Sequence, residues 1–487
     1  MVRPFAFVLA AGFSLAAFSL VADGFAAAEG AAVAEPIHVD LPLTEKKLAN
    51  GLDVIVHEDH RTKTVSVHLR YDVGGKDDPP GRSGFAHLFE HIMLQGSRHV
   101  PEDAFFRYLE QAGASDRNAT TFLDGTTYFE TLPSNELELA LWLESDRMAF
   151  LLDHVDAKTF ANQREVVKNE RRQSYEDKPY GFAWRYIYEA IHPEGHPYRR
   201  LTIGDPRDLD AATLDDARAF FRTFYVPSNA SLVIAGDVST PAAMALAEKY
   251  FGPIVDRPVP PRAAPPPVVL GGETRLDVAA GVKLAKVYVA WPTPAIYRDG
   301  DADLDVLATL LVRGESSRLR RAIVRDLRVA TDVEAYQESG VLGSVFVIEA
   351  TVRPGRSADE VLRAIDAELA KVRVAGAGAI QGDEAARARR VRVAGIVFDV
   401  EEGRRRADRI NEYTRLAGDP RYITKDFARY EATTAASLGA AAARHLPPDR
   451  RVVEVVTPVQ GASIAGDLRR TTTSAGPSAP GGAKVKS

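Results

Sequence analysis

Gly84-Phe85-Ala86-His87-Leu88-Phe89-Glu90-His91 carries two histidines four residues apart. In a helix that spacing stacks them one turn apart on a single face, where two imidazoles can grip one metal ion. Glu90 follows His87 by three, near the same face, so its carboxylate can reach a water on that metal. With 11 His among 487 residues, chance places such a trio roughly 0.02 times in a chain of this kind. Phe85, Leu88, Phe89 and Ile92 fill the rest of the helix surface and bury it, so polar groups on it need partners. The stretch predicts a helix from about Ser83 to Gln95, after a loop of Gly74-Gly75-Lys76-Asp77-Asp78-Pro79-Pro80-Gly81.

Upstream, Asn50-Gly51 reads as a turn. Leu52, Val54 and Val56 alternate after it, and Val65, Val67 and Leu69 repeat the pattern beyond His60-Arg61, which predicts a hairpin. Helical periodicity marks 101–112, 134–150, 157–175 and 211–224, and Ser231 to Asp237 reads as a buried strand ending in a turn. Seven prolines between Pro253 and Pro267 mark an extended connector over 253–272. A similar order of strand, Gly/Asp loop and helix follows, closed by Gly314. If Gly314 corresponds to Gly96, the repeat has a period of 218 (314 − 96). Residues 461–487 are rich in Gly, Ser, Thr, Ala and Pro, and the expectation there is a disordered tail.

Composition narrows the chemistry. The chain is 45% hydrophobic and 26% charged, with net charge −6. A disordered chain is excluded, and nothing resembles the basic footprint of a nucleic-acid binder. There is no Cys, so Cys-ligated zinc, iron–sulfur clusters, disulfides and thiol nucleophiles are excluded, and a metal must be held by His, Asp and Glu. At the N-terminus, Arg3, the apolar run Phe5 to Ala22 and the small residues Ala26-Ala27-Ala28 read as a cleaved export signal over residues 1–28. The expected location is the periplasm or the exterior. No later segment is apolar enough to span a bilayer, so an integral membrane protein is not expected.

A catalytic zinc takes three protein ligands and keeps one position open. The best source of the third is the helix Arg164-Glu165-Val166-Val167-Lys168-Asn169-Glu170-Arg171-Arg172. Glu165 and Glu170 are both candidates, and a spacing of five puts them on different faces. His57, His60, His99, His192 and His196 sit in turn-like or Pro-flanked surroundings and read as surface residues.

These motifs resemble the pitrilysin family of inverzincin peptidases, in the two-domain form of its bacterial members and the mitochondrial processing peptidase. The likeness runs over about 40–460. It includes Asn50-Gly51-Leu52, the His87 block, the Arg164–Glu170 run, Phe224-Tyr225-Val226-Pro227-Ser228-Asn229-Ala230, Gly236-Asp237 and Ser316-Ser317-Arg318-Leu319. In that family the ligand Glu ends an Arg-acid run somewhat over seventy residues past the second His. Here Glu170 stands 79 residues after His91 (170 − 91). The resemblance therefore implies one zinc per chain on His87, His91 and Glu170, Glu90 as general base, and Glu165 as outer support. It implies a zinc endopeptidase, and it implies that Asn118 and Ala119, in Asn118-Ala119-Thr120-Thr121, belong to an edge strand that pairs with substrate.

The fold implied is α+β: two similar domains, 40–252 and 273–460, each a mainly antiparallel sheet with helices packed on one side. Setting Gly314 against Gly96 puts Asp305, Ala308 and Thr309 opposite His87, Glu90 and His91, so the second domain holds no metal. In the family an Arg and a Tyr seven apart from such a domain support the oxyanion. Arg325 fits, but Asp332 occupies the Tyr position, or Thr331 with one deletion. That departure points to a heterodimer with a metal-free homologue supplying the Arg/Tyr pair, the alternative being a homodimer that uses Arg325 and Tyr336. Two subunits would close a chamber for short or unfolded peptides. The rival reading is a non-catalytic peptide-binding or scaffold subunit.

Overall fold

Val54, Ile55 and Val56 are all buried, but in different places. Val54 and Val56 join a large core with the helices of the first half, while Ile55 joins a smaller cluster on the opposite face. A strand apolar on both sides belongs inside a covered sheet and not at its edge. In the computed structural model, which describes residue 39 and residues 41–374 and 380–474, it lies there.

The first half forms a six-stranded sheet of β1 (Thr44–Lys47), β2 (Asp53–Glu58), β3 (Thr64–Tyr71), β4 (Ser115–Thr121), β5 (Thr126–Pro133) and β6 (Ala230–Gly236), in the order β1-β2-β6-β3-β5-β4. The expected hairpin of β2 and β3 does not form. β6 lies between them, parallel to β2 and antiparallel to β3. The reason is burial: every residue of β6 is buried, and a strand apolar on both faces gains most in the centre.

The second half repeats the plan with β7 (Thr274–Ala280), β8 (Lys286–Thr293), β9 (Ala330–Glu338), β10 (Ser344–Val352), β11 (Val452–Pro458) and β12 (Asp467–Thr473), in the order β12-β7-β11-β8-β10-β9. Each sheet has one parallel pair, β2 with β6 and β7 with β11. The outer strand beside that pair opens the first half as β1 and closes the second half as β12. Thus residues 467–473, expected in a disordered tail, are a strand paired antiparallel with β7. Its side chains are nearly all exposed, so main-chain hydrogen bonds rather than apolar burial hold it, and composition carries no sign of those. The segment before it is also anchored: Phe182 N donates to Ala465 O at 3.2 Å and Tyr186 Oη to Gly466 O at 3.0 Å. The expected signal segment 1–28 and residues 475–487 of the expected tail lie outside the described residues.

Five helices matter for the site and for the joining of the halves: α1 (Phe85–Ile92), α2 (Ala157–Arg171), α3 (Ala183–Ile191), α4 (Asp301–Val312) and α5 (Gly403–Glu412). The layer of helices expected on one side of each sheet is joined, on the other side, by a helix from the opposite half. Ala183, Ile187 and Ile191, one stripe of α3, pack with Leu276, Val278, Ala290 and Val347 of the second sheet. Reciprocally, Ala407 and Ile410 of α5 pack on Ile55, Val233 and Ala235 of the first. Asn411 fixes α5 there, its Nδ2 donating to His68 O at 2.8 Å and Ser231 O at 3.1 Å. The Pro-rich connector carries no helix or strand over 255–273, so the exchanged helices, rather than the connector, hold the halves together.

α4 begins after Gly300, which has φ +88°, as α1 begins after Gly84, with φ +91°. Matching these caps gives a period of 216 (300 − 84) and sets Asp303, Val306 and Leu307 opposite the metal-helix trio, two residues from the alignment on Gly314. Neither set contains a histidine. No helix among the described residues is long and apolar enough to cross a membrane.

Glu454 breaks the apolar pattern of β11. It is 0% exposed, and neither carboxyl oxygen has a hydrogen-bond partner among the described residues. Burial pushes its pKa far above the usual carboxylate range. The folded state therefore keeps a proton that the unfolded chain releases above about pH 4.3, and stability falls as pH rises from there toward the raised value. Glu454→Leu is expected to stabilise the protein at pH 7 by on the order of 1–3 kcal/mol. Thermal melts at pH 5 and pH 8 check this: the gap from wild type should widen at pH 8, and a lowered melting temperature at both would refute it.

Candidate active site

α1 is pinned at its start. Gly84 is left-handed, and a Cβ there would come within 2.9 Å of Gly204 Cα and Ile203 O. Gly84 N and Ala86 N donate to the Asp78 carboxylate at 2.7 and 2.9 Å, satisfying first-turn amides that have no partner within a helix. Burial raises the Asp78 carboxyl to about 7, against the lowering effect of those two amides. Phe85 meets Phe220 edge-on at 5.7 Å between ring centres, Phe89 stacks on Phe220 at 5.4 Å, and Phe89 also meets Tyr225. These contacts set the rotation of α1, and His87, Glu90 and His91 are left facing α2 and β4.

The His87 and His91 rings lie 4.9 Å apart. Glu170, on α2, brings Oε2 to 3.1 Å from His91 Nε2 and 3.6 Å from His87 Nε2. One ligand atom from each residue falls within 4.8 Å of the others, the single group of three such residues among the described residues. Burial, reinforced by the nearby His91, lowers His87 to about 4, with Glu170 opposing. That imidazole is neutral at pH 7, as a metal ligand must be. Glu170 is held ionised, first by its hydrogen bond from His91. Two imidazoles and one carboxylate match the donor set of a zinc site that leaves a position open.

Glu90 stands beside this trio. Its Oε2 accepts from Thr121 Oγ1 at 2.6 Å. Burial raises its carboxyl; the Thr121 bond and His91 lower it, and Glu170 raises it. The role of Thr121 escaped the sequence reading, although period two puts it on the same face of β4 as the buried Ala119. Among the described residues β4 is the outermost strand of its sheet, next to β5 alone. Asn118 is opposite Phe129 and Ala119 opposite Tyr128, so both lie on the strand that exposes a free edge beside Glu90.

Two expected residues stand apart. Glu165 is exposed and pairs with Lys168 at 3.1 Å. The inward stripe of α2 is Gln163, Val167 and Arg171, and five residues of helix turn Glu165 away from the face of Glu170. The ion-pair partners of Glu165 are Lys168 and Arg164, neither of them in the group of His87, His91 and Glu170. Arg325 is exposed on the short π-helical segment Arg320–Asp326, Asp332 pairs with Arg320 at 3.2 Å, and Tyr336 packs against Trp184 at 6.1 Å. Among the described residues, none of these three bonds to Glu90 or to the metal trio of its own chain.

Residues 53–193 match the family model described as Insulinase (Peptidase family M16), and residues 211–390 match the Peptidase M16 inactive domain. The zinc protease PqqE of Helicobacter pylori is 28% identical over 330 residues, covering 67% of this chain and 73% of that protein. The crystal structure of a protease from Helicobacter pylori aligns with a TM-score of 0.79 at 25% identity, over 86% of this chain and 100% of that one. The periplasmic protease PqqL from Escherichia coli shares the fold, with a TM-score of 0.71 at 17% identity, over 88% of this chain but 50% of its own. The active-family match spans the helix with His87, Glu90 and His91 and reaches Glu170, while most of the inactive-domain match falls on the half that lacks such a trio. The chain is a two-domain member of peptidase family M16, the pitrilysin and insulinase family.

Proposed function

We propose that this protein is a zinc-dependent endopeptidase that hydrolyses peptides or unfolded polypeptides inside a chamber closed by two subunits. The observation that carries the reading is Glu90, buried and held by Thr121 beside three metal-ligating side chains, with a free strand edge next to it. His87, His91 and Glu170 would hold the ion. When bound, zinc polarises the scissile carbonyl and acidifies water. Glu90 takes the proton of the attacking water and delivers it to the leaving amine. The outer edge of β4 pairs with an extended substrate through main-chain hydrogen bonds, which tolerates varied side chains.

The chamber is proposed on two grounds. The chain corresponds to half of the PqqL chain, and its own Arg325 lacks a Tyr seven residues on. A metal-free homologue that supplies the Arg/Tyr pair completes the site. The export signal proposed for residues 1–28 places the mature protein in the periplasm or outside the cell.

A quenched fluorescent peptide library tests this with the purified mature chain alone, with chelator, and with a homologous partner. Cleavage that chelator abolishes and zinc restores is expected. Activity by the chain alone overturns the obligatory partner, and bound zinc without cleavage under any condition overturns the peptidase in favour of a binding subunit.

A further inference from the structure

Arg70 lies on β3 and is 5% exposed. Its side chain makes no hydrogen bond or ion pair with any described residue, and Nε is buried without a partner. Asp72 and Asp408 feel its charge. Their own ion pairs go elsewhere, Asp72 to Lys76, Arg262 and Arg415, and Asp408 to His68. A buried guanidinium left in this state is costly unless something else pairs with it.

Its position is fixed by the turn that joins β4 to β5. A Cβ on Gly125 would meet Arg70 Nη2 at 2.6 Å and Cζ at 2.8 Å, so the guanidinium lies where any side chain at 125 would go. This turn leads directly from Thr121, the partner of Glu90. Arg70 and Thr121 both line a cavity of about 470 Å³ shared by the two halves, with Trp184, Tyr188, Gly340 and Val345 also in its lining. Three of the four carboxylates in its lining are engaged within the chain. Asp124 accepts from Tyr198 Oη and Val341 N, Glu412 from Tyr297 Oη, and Asp408 pairs with His68. The fourth, Glu338, is exposed at the end of β9.

We propose that Arg70 is a specificity-determining residue that receives a carboxylate of the bound peptide, from an acidic side chain or from the C-terminus, in this cavity. A guanidinium offers paired N–H donors that match a carboxylate. The inference deepens the peptidase reading and rests on it.

The test measures binding to the zinc-loaded Glu90→Gln protein, which holds peptide without turning it over. Fluorescent peptides are made in matched pairs: Asp against Asn and Glu against Gln along the sequence, and free C-terminal acid against amide. At one position the acid is expected to bind about ten- to hundredfold more tightly than its neutral twin. That preference should vanish when Arg70→Gln is added and partly return with Arg70→Lys. The arm that responds tells side chain from terminus. Equal binding within every pair, a preference that survives Arg70→Gln, or an equal loss for all peptides overturns the proposal. If Arg70→Gln fails to fold, the pair comparison on the Arg70 protein and on Arg70→Lys still decides it. Peptides that bind with the preference but are never cleaved by wild type refute the peptidase reading alone, and cleavage without preference refutes this one alone.

Discussion

Glu90→Gln is expected to lower kcat about 10²–10⁴-fold, the usual contribution of a positioned general base, while zinc content stays at that of wild type. The amide is nearly isosteric, and its oxygen can still accept from Thr121 Oγ1, which now bonds Glu90 at 2.6 Å. Position is therefore kept and proton transfer is lost. None of the three ligand atoms belongs to Glu90, so metal binding has no reason to weaken. Single-turnover kinetics and metal analysis of the dialysed variant check both halves of the statement. Loss of zinc together with activity would mean that Glu90 is a ligand and that the division of roles is wrong.

The second large effect falls on the metal itself. His87→Ala, His91→Ala or Glu170→Ala each removes one of three donors, and zinc affinity should fall by more than the ten- to hundredfold that altering a ligand's outer partner costs. The ligands are poised before the ion arrives: burial holds the His87 ring neutral, and Glu170 is kept as a carboxylate beside both rings. Glu165→Ala is the control. Its side chain faces solvent and pairs with Lys168, so zinc affinity and activity should be unchanged. Competition against a chromophoric chelator measures each variant. Equal losses for Glu165→Ala and Glu170→Ala would overturn the placement of α2.

Much of the site was legible because its spacing is short. Four residues of helix always stack His87 over His91, whatever the tertiary fold, and Glu90 then has one place to be. Glu165 and Glu170 could not be separated on that basis, since periodicity says that they face apart without saying which face meets α1. The packing of α2 answers it: Val167 is fully buried in the core, and Glu170 follows on the turn that meets the histidines. Arg70 left no signal at all. In β3 it reads as one polar residue in an alternating strand, and only the guanidinium seated against Gly125 and the cavity beyond show where its charge lies.

The sequence by itself determined the helix that stacks His87 over His91, the repeat of two halves and the buried character of β6, because each depends on residue type and near-neighbour spacing. Tertiary structure alone decided that β6 parts β2 from β3, that polar residues 467–473 form a strand, that α3 and α5 exchange between the halves, and that Arg325 is exposed. Those outcomes depend on which surfaces meet across tens to hundreds of residues. Main-chain pairing at a sheet edge and the burial gained by docking one half's helix on the other's sheet are properties of the assembled molecule, and no local pattern in the chain encodes them.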